Sequence, residues 1–380
     1  MIEGTDADVE ELLEVHVINA GVGESIVIRM PGDRWGVVDC YSPSVTDPDA
    51  NPTVQFLKDR GVSRLEFLCL THPHNDHYRG MSHLLEIFRP HYFWRSACMT
   101  VERLKRIILH GDAEARQGAD PKGMETVKDL VRTFALARKM KRAGLQVILL
   151  SGIKPAYPFQ QSIISDSPPV KIIGIAPSGN MIEQYEESLD RCFTKTGALK
   201  PRVPALKHND ISIALVVQFG STRIILGGDV EANNWLATVA SMGPAELASQ
   251  AVKVSHHGSR TGYIPGLWGN FSRLGGTHAI ITPSRRHRLP TRDAVEHIRS
   301  HARRVFTTCA AVMTFDGAHR GAAWDSYSPQ VQSALRREFS GFQSVGDGDL
   351  GVCSLSFDSN GNCQQIQLSG GAAELTDDMH

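Results

Sequence analysis

The chain has 380 residues, with 40 Lys and Arg against 41 Asp and Glu, for a formal net charge of −1. That balance supplies no global field to draw in nucleic acid, so a polyanionic partner would need a local basic patch. A hydrophobic content of 41% and a charged content of 21% suit a chain that buries a core, and no apolar run reaches the roughly 18 residues of a membrane span, which excludes a bundle of spanning helices.

The opening MIEGTDADVEELLEVHVINAG is acidic before its first apolar run and lacks the basic region and apolar stretch of a secretory leader, so a cytoplasmic location is expected. Seven cysteines (Cys40, Cys69, Cys98, Cys192, Cys309, Cys353 and Cys363) are widely spaced with no CxxC pair, against a disulfide framework or a thiolate zinc site.

In chain order, VHVIN (15–19), SIVIRM (25–30) and WGVVDC (35–40) are short β-branched runs that predict a meander, with Gly21 and Gly23 marking its first turn. A helix is expected over 52–60, between Pro52 and Gly61, followed by the strand LEFLCL at 65–70. Apolar residues at three and four spacing over 101–143, among many basic side chains, predict amphipathic helices inserted between strands. Strands are then expected at 145–150, 170–175, 211–219, 222–228, 251–255 and 278–282, alternating with helices at 180–190, 231–241 and 291–301. Asn360-Gly361 between two alternating stretches predicts a hairpin. The whole reads as one domain over 10–370 with a helical insertion at about 95–145, and 371–380 as a disordered tail.

The chemistry concentrates where apolar strands end. THPHNDHYRG at 71–80 follows the strand 65–70 and offers His72, His74, Asp76 and His77 within six residues. Alternate residues of extended chain point the same way, so His72 and His74 can hold one cation while Asp76 and His77, beyond the bend, reach a neighbouring one. GGDVE at 227–231 places Asp229 after a strand, as a ligand or as the cap of the helix that follows. KVSHHGS at 253–259 supplies another imidazole from either His256 or His257. His208, just before a strand, reads equally as a further ligand or as a surface histidine in a polar turn.

The set HxHxDH at 72–77, GGDVE at 227–231 and VSHHGS at 254–259 resembles the metallo-β-lactamase superfamily, and more narrowly the hydrolase domain of the DNA-uptake protein ComEC, over most of the chain. The resemblance implies a four-layer αββα sandwich in which His72 and His74 bind one metal with His208, Asp76 and His77 bind a second with His257, and Asp229 bridges the two. It implies supporting roles for Asp39 and Ser259. Val22, Glu24, Cys40 and Tyr41 depart from the pattern, which has glutamine, aspartate, glycine and glycine at the equivalent places. The usual GHP triplet is replaced by RRHRLP at 285–290, with His287 as an approximate counterpart.

Two divalent ions, Zn2+ or Mn2+, are therefore expected, since imidazoles suit zinc and carboxylates also accept manganese. Such a pair lowers the pKa of water to about 7 and suits hydrolysis of phosphodiesters, with Asp76 orienting the attacking water and taking its proton. For substrate, SRRHRLPTRDAVEHIRSHARR at 284–304 offers Arg285, Arg286, His287 and Arg288 beside a further arginine-rich helix, either as phosphate-binding forks or as a solvated face. The expected function is a nuclease or phosphodiesterase acting on DNA or RNA. The alternatives are a hydrolase of a small phosphoester, cyclic nucleotide or lactone, and a metal-stabilised subunit of a larger assembly, such as a phage-defence complex, that docks a protein partner through its helical insertion.

Overall fold

Alternation along the opening strands sets the layers. In β1 (Leu13–Asn19), Leu13, Val15 and Val17 share one buried face with Ile26 and Ile28 of β2 (Glu24–Met30), and β3 (Arg34–Val38) completes an antiparallel meander. Successive strand side chains point to opposite faces, so a sheet that is apolar on both must be covered on both. The computed structural model describes residues 11–19, 22–117, 121–157, 167–201, 205–264, 266–273, 276–310 and 350–376, and it meets that requirement with two eight-stranded sheets between layers of helix.

The first sheet runs β15 (Cys363–Gly370), β14 (Gly351–Phe357), β1, β2, β3, β4 (Phe67–Leu70), β5 (Tyr92–Ser96) and β6 (Gln146–Leu150). The second runs β16 (Ala373–Glu374), β13 (Arg304–Thr307), β12 (His278–Ile281), β11 (Ala251–Lys253), β10 (Thr222–Leu226), β9 (Ala214–Phe219), β8 (Val170–Ala176) and β7 (Lys154–Pro155). Between them lie Phe67, Trp94, Leu215, Val217, Phe219, Phe306 and Phe357, with Phe67 and Trp94 stacked at 4.0 Å.

Outside the first sheet, α1 (Pro52–Lys58), α3 (Met81–Phe88), α4 (Val101–Gln117), α5 (Pro121–Lys141) and α6 (Gly179–Arg191) contribute Leu57, Phe88, Ile107, Leu130 and Tyr185 to a second cluster. Outside the second sheet, α7 (Ala232–Met242), α8 (Pro244–Leu247), α9 (Leu267–Phe271) and α10 (Arg292–Arg299) bury Trp235, Leu247, Phe271 and Ile298. This is the mixed α/β, four-layer sandwich expected, and α4 and α5 lie between β5 and β6 in the chain. Among the described residues no helix is long and apolar enough to cross a membrane.

Three expectations change. Residues 371–376 do not form a disordered tail: Glu374 of β16 pairs with Phe306 of β13, and its carboxylate accepts two bonds from Arg304 at 2.8 and 2.6 Å. The remainder of that tail (377–380), the expected domain start at residue 10, and Gly21 lie outside the described residues. The expected strand over 211–219 begins only at Ala214, because His208–Ile211 form a 3-10 turn. Strands β5 and β13 were not expected; YFWRS and RVFT are short and carry arginines, and they become strands because parallel neighbours supply their hydrogen bonds.

Strands β3 to β6 are mutually parallel, as are β10 to β13. Ligands in open α/β sheets gather beyond the carboxyl ends of such strands. Here Asp39 follows β3, His72 follows β4, Asp229 follows β10, His257 follows β11 and Thr282 follows β12.

Candidate metal centre

The loop after β4 bends into α2 (Asn75–Tyr78), a single helical turn that carries Asp76 and His77 while His72 and His74 remain in the extended segment before it. Close approach makes this possible at Gly23, where a Cβ would lie 2.4 Å from the Asp76 carbonyl oxygen. Asp229 is delivered by a turn in which Gly228 has φ 51° and would carry a Cβ 2.5 Å from the Ile213 carbonyl. Asp229 does not cap α7, whose first flanking residue is Glu231; its backbone N–H instead donates to Ser212 Oγ at 2.9 Å.

Two groups of potential ligand atoms result, His72, His74 and Asp229 in one and Asp76, His77 and His257 in the other, each gathered within 4.8 Å. His72 Nε2 lies 2.9 Å from His74 Nδ1 and 3.8 Å from Asp229 Oδ2. His257 Nε2 lies 3.6 Å from Asp76 Oδ2, and His77 Nε2 lies 3.3 Å from Asp229 Oδ1. Asp229 thus faces both groups.

The opposite nitrogens of three imidazoles are engaged. His77 Nδ1 donates to Asp39 Oδ2 at 2.7 Å, and His257 Nδ1 donates to the Thr282 carbonyl at 2.8 Å. His72 Nδ1 lies 3.0 Å from Thr71 Oγ1, which itself donates to Asp39 at 2.7 Å. Bonds of this kind fix the tautomer and leave Nε2 for a cation. Asp39, His256 and His257 all adopt positive φ (59°, 47° and 55°), so the backbone is strained where these side chains are aimed.

Electrostatics agree with the geometry. Burial pushes the pKa of His72, His74 and His208 down, which keeps them neutral and able to donate a lone pair. Burial acts the same way on His77, but the carboxylates of Asp229 and Asp39 outweigh it and hold that pKa well up. Burial alone would raise Asp229; the neighbouring His77 and His257 hold it well below the carboxylate range. Buried carboxylates here require cationic neighbours. Among the described residues His77 Nε2, His257 Nε2 and Asp229 Oδ1 are buried without a hydrogen-bond partner, and two such imidazole nitrogens with a carboxylate oxygen are lone-pair atoms that fit a divalent ion.

Of the two adjacent histidines that the sequence leaves as alternatives, His257 enters these groups and His256 does not. At His256, Nδ1 meets Ser259 Oγ at 2.9 Å and Glu231 Oε1 at 3.2 Å, and Nε2 lies 4.0 Å from Asp229 Oδ2. His208 is no surface histidine: it is buried 5.2 Å from the His74 ring, with Nδ1 held by the Tyr185 hydroxyl at 2.7 Å, although neither ligand group includes it. Arg285, Arg286, His287 and Arg288 occupy a tight turn pinned by the Ser284–Leu289 bridge. Burial and nearby cationic groups lower the His287 pKa while Asp76 opposes them, which places this turn within electrostatic reach of the centre.

In the arginine-rich stretch beyond that turn, Arg292 of α10 pairs with Glu296, and Arg304 of β13 pairs with Glu374 of β16. Sequence reasoning missed Thr71, Thr282, Tyr185 and Lys253. Thr71 abuts His72 and was within reach of inspection, whereas Tyr185, on a distant helix, carries no local signal.

Residues 18–97, from β1 through β5, match the family model of the metallo-beta-lactamase superfamily. No curated protein sequence matches the chain. Among solved structures, the long form of RNase Z from yeast is 11% identical with a TM-score of 0.37, covering 76% of this chain and 39% of its own. CmlA beta-hydroxylase is 11% identical with a TM-score of 0.34, and the match spans 69% of this chain and 39% of that one. A diphosphatase of the PhnP family is 10% identical with a TM-score of 0.33, covering 70% and 85%.

Proposed function

We propose that this chain is a metal-dependent phosphodiesterase acting on nucleic acid. The observation that carries the reading is Asp229, which faces the His72–His74 pair with one oxygen and His77 with the other. Two divalent ions, zinc or manganese, would supply a water activated near neutral pH and charge stabilisation on a phosphoryl oxygen. His72, His74 and Asp229 would hold one ion, with His208 completing its surroundings, and Asp76, His77 and His257 would hold the other. Asp76 accepts the proton of the attacking water, and Asp39 and the Thr282 carbonyl keep His77 and His257 aimed. Arg286 and Arg288, exposed on the turn beside His287, meet substrate phosphates. The superfamily match over 18–97 and the resemblance to the ComEC hydrolase domain support a hydrolytic reaction of this class.

The test is cleavage of labelled single-stranded and double-stranded oligonucleotides by the whole chain with Mn2+ or Zn2+, beside a panel of small phosphoesters, cyclic nucleotides and lactones. Metal-dependent cleavage that Asp76→Ala abolishes is expected. Full activity in Asp76→Ala, or turnover confined to the small molecules, would remove the reading.

One observation favours a partner-gated form of the same chemistry. Asp129 of α5 accepts from Gly80 N at 2.7 Å and from Ser82 Oγ at 2.5 Å, tying the insertion to the end of the metal loop. Leu109 and Val131 are exposed on that insertion. A protein docked there would act directly on the loop, and high turnover by the isolated chain would make such a partner unnecessary.

A further inference from the structure

Beneath the candidate centre lies a buried ion pair between the sheets. Lys253 Nζ, at the end of β11, donates to Glu24 Oε1 of β2 at 2.5 Å, and both side chains are 0% exposed. The second oxygen, Glu24 Oε2, accepts from Thr282 Oγ1 at 2.5 Å, and Lys253 Nζ also reaches the Gly228 carbonyl at 3.4 Å. The pair therefore joins β11, which leads to His257, to the turn that delivers Asp229 and to Thr282, whose carbonyl holds His257 Nδ1.

Glu24 stands between two donors that it does not engage. Its Oε1 is 3.9 Å from His77 Nδ1, and its Oε2 is 3.6 Å from His257 Nδ1. Those nitrogens donate instead to Asp39 at 2.7 Å and to the Thr282 carbonyl at 2.8 Å. A buried carboxylate without a countercharge is costly enough to capture any N–H or cation within reach. Glu24, Asp39 and His77 in fact form a third group of potential ligand atoms, into which Lys253 brings the chain's own cation.

We propose that Lys253 is a positioning residue for the metal centre: by satisfying Glu24 from the opposite sheet, it keeps His77 and His257 bonded to Asp39 and Thr282 and so aimed at the metals. Without that ammonium, Glu24 draws one imidazole N–H away from its orienting partner or takes an ion into the inner group. The inference rests on the metal-centre reading, and it assigns Glu24, a departure from the aspartate of the resembled family, a definite partner.

Co2+ titration of the metal-free whole chain, followed by visible absorption and paired with thermal melting, tests it. In Lys253→Met, Co2+ binding is expected to weaken at least tenfold with an altered absorption band, the effect typical of losing an orienting group. In Lys253→Met/Glu24→Gln, which removes both charges at similar volume, binding is expected to return to within tenfold of the parent with the original band. Unchanged binding and band in folded Lys253→Met would reduce the pair to a strut between sheets and overturn the proposal. So would a folded double variant more than tenfold weaker than the parent. Should Lys253→Met not fold, the double variant decides alone by the same threshold. Absence of Co2+ binding in the parent chain would instead overturn the metal-centre reading itself, before any variant is compared.

Discussion

His77 and Asp39 are joined by a 2.7 Å bond from Nδ1 to Oδ2, and the same carboxylate accepts the Thr71 backbone N–H at 2.8 Å and the Thr71 hydroxyl at 2.7 Å. One buried aspartate thereby orients His77 directly and His72 through Thr71. Asp39 has φ 59°, a conformation that asparagine tolerates better than most residues, so Asp39→Asn removes charge with little backbone penalty. The variant is expected to fold and to bind zinc or manganese about 10-fold to 100-fold more weakly. Isothermal titration of the metal-free protein measures this, and affinity equal to the parent's would show that Asp39 does not set the imidazoles.

Metal should also act as a stabiliser, because the ligand atoms come from both sheets and converge only in the folded chain. An ion that binds only the native state at a hundred times its Kd adds about 2.7 kcal/mol. Stripping with chelator should lower Tm by several degrees, and Zn2+ or Mn2+ should restore it. Melting curves that superimpose with and without chelator would speak against a site that spans the sheets.

Much of this arrangement is legible in the sequence, and the reason is local. His72, His74, Asp76 and His77 lie within one short loop directly after an apolar strand, so the strand's end and the ligand spacing announce each other. Residue type at 256 and 257 does not separate the two histidines, and only the family resemblance points to His257; their placement depends on left-handed φ values at both residues. The burial of His208 is not legible; it follows from α6 bringing Tyr185 across to it. Nor is the role of Lys253, which falls in an apolar run; only the stacking of the second sheet on the first brings it to Glu24. Contacts between sheets are set by packing, and a period-two pattern carries no information about which residue lies opposite.

Acid should weaken the fold at a position remote from catalysis. His278 in β12 is 4% exposed, and burial, with Arg303 and Arg304 nearby, pushes its pKa down to about 4. In the unfolded chain the same imidazole takes its proton near about 6.5, so the unfolded state binds more protons between those values. Stability from the neutral side chain is complete above the higher value and is lost as pH falls toward the lower, by up to about 3 kcal/mol. His278→Phe keeps a ring beside Phe306, 5.9 Å away, and cannot titrate. Its Tm should fall less than the parent's between pH 7 and pH 4.5, and parallel decline of the two would exclude His278 as the sensitive group.

Substrate contact by the 285–288 turn makes a quantitative claim about salt. Arg286 and Arg288 are exposed on a turn within electrostatic reach of Asp76, while Arg292 and Arg304 of the neighbouring segment are already paired with carboxylates. If the two exposed guanidiniums each meet one phosphate, binding releases one set of counterions per contact. The slope of log K against log salt then falls by about 0.7 per contact on a single strand and about 0.9 on a duplex. Arg286→Ala/Arg288→Ala should therefore flatten the single-strand slope by about 1.4 while leaving metal affinity unchanged, since neither side chain belongs to a ligand group. Fluorescence anisotropy of a labelled oligonucleotide across a salt series reads the slope directly. A slope equal to the parent's would assign this turn to the solvated surface and leave substrate recognition to another part of the protein.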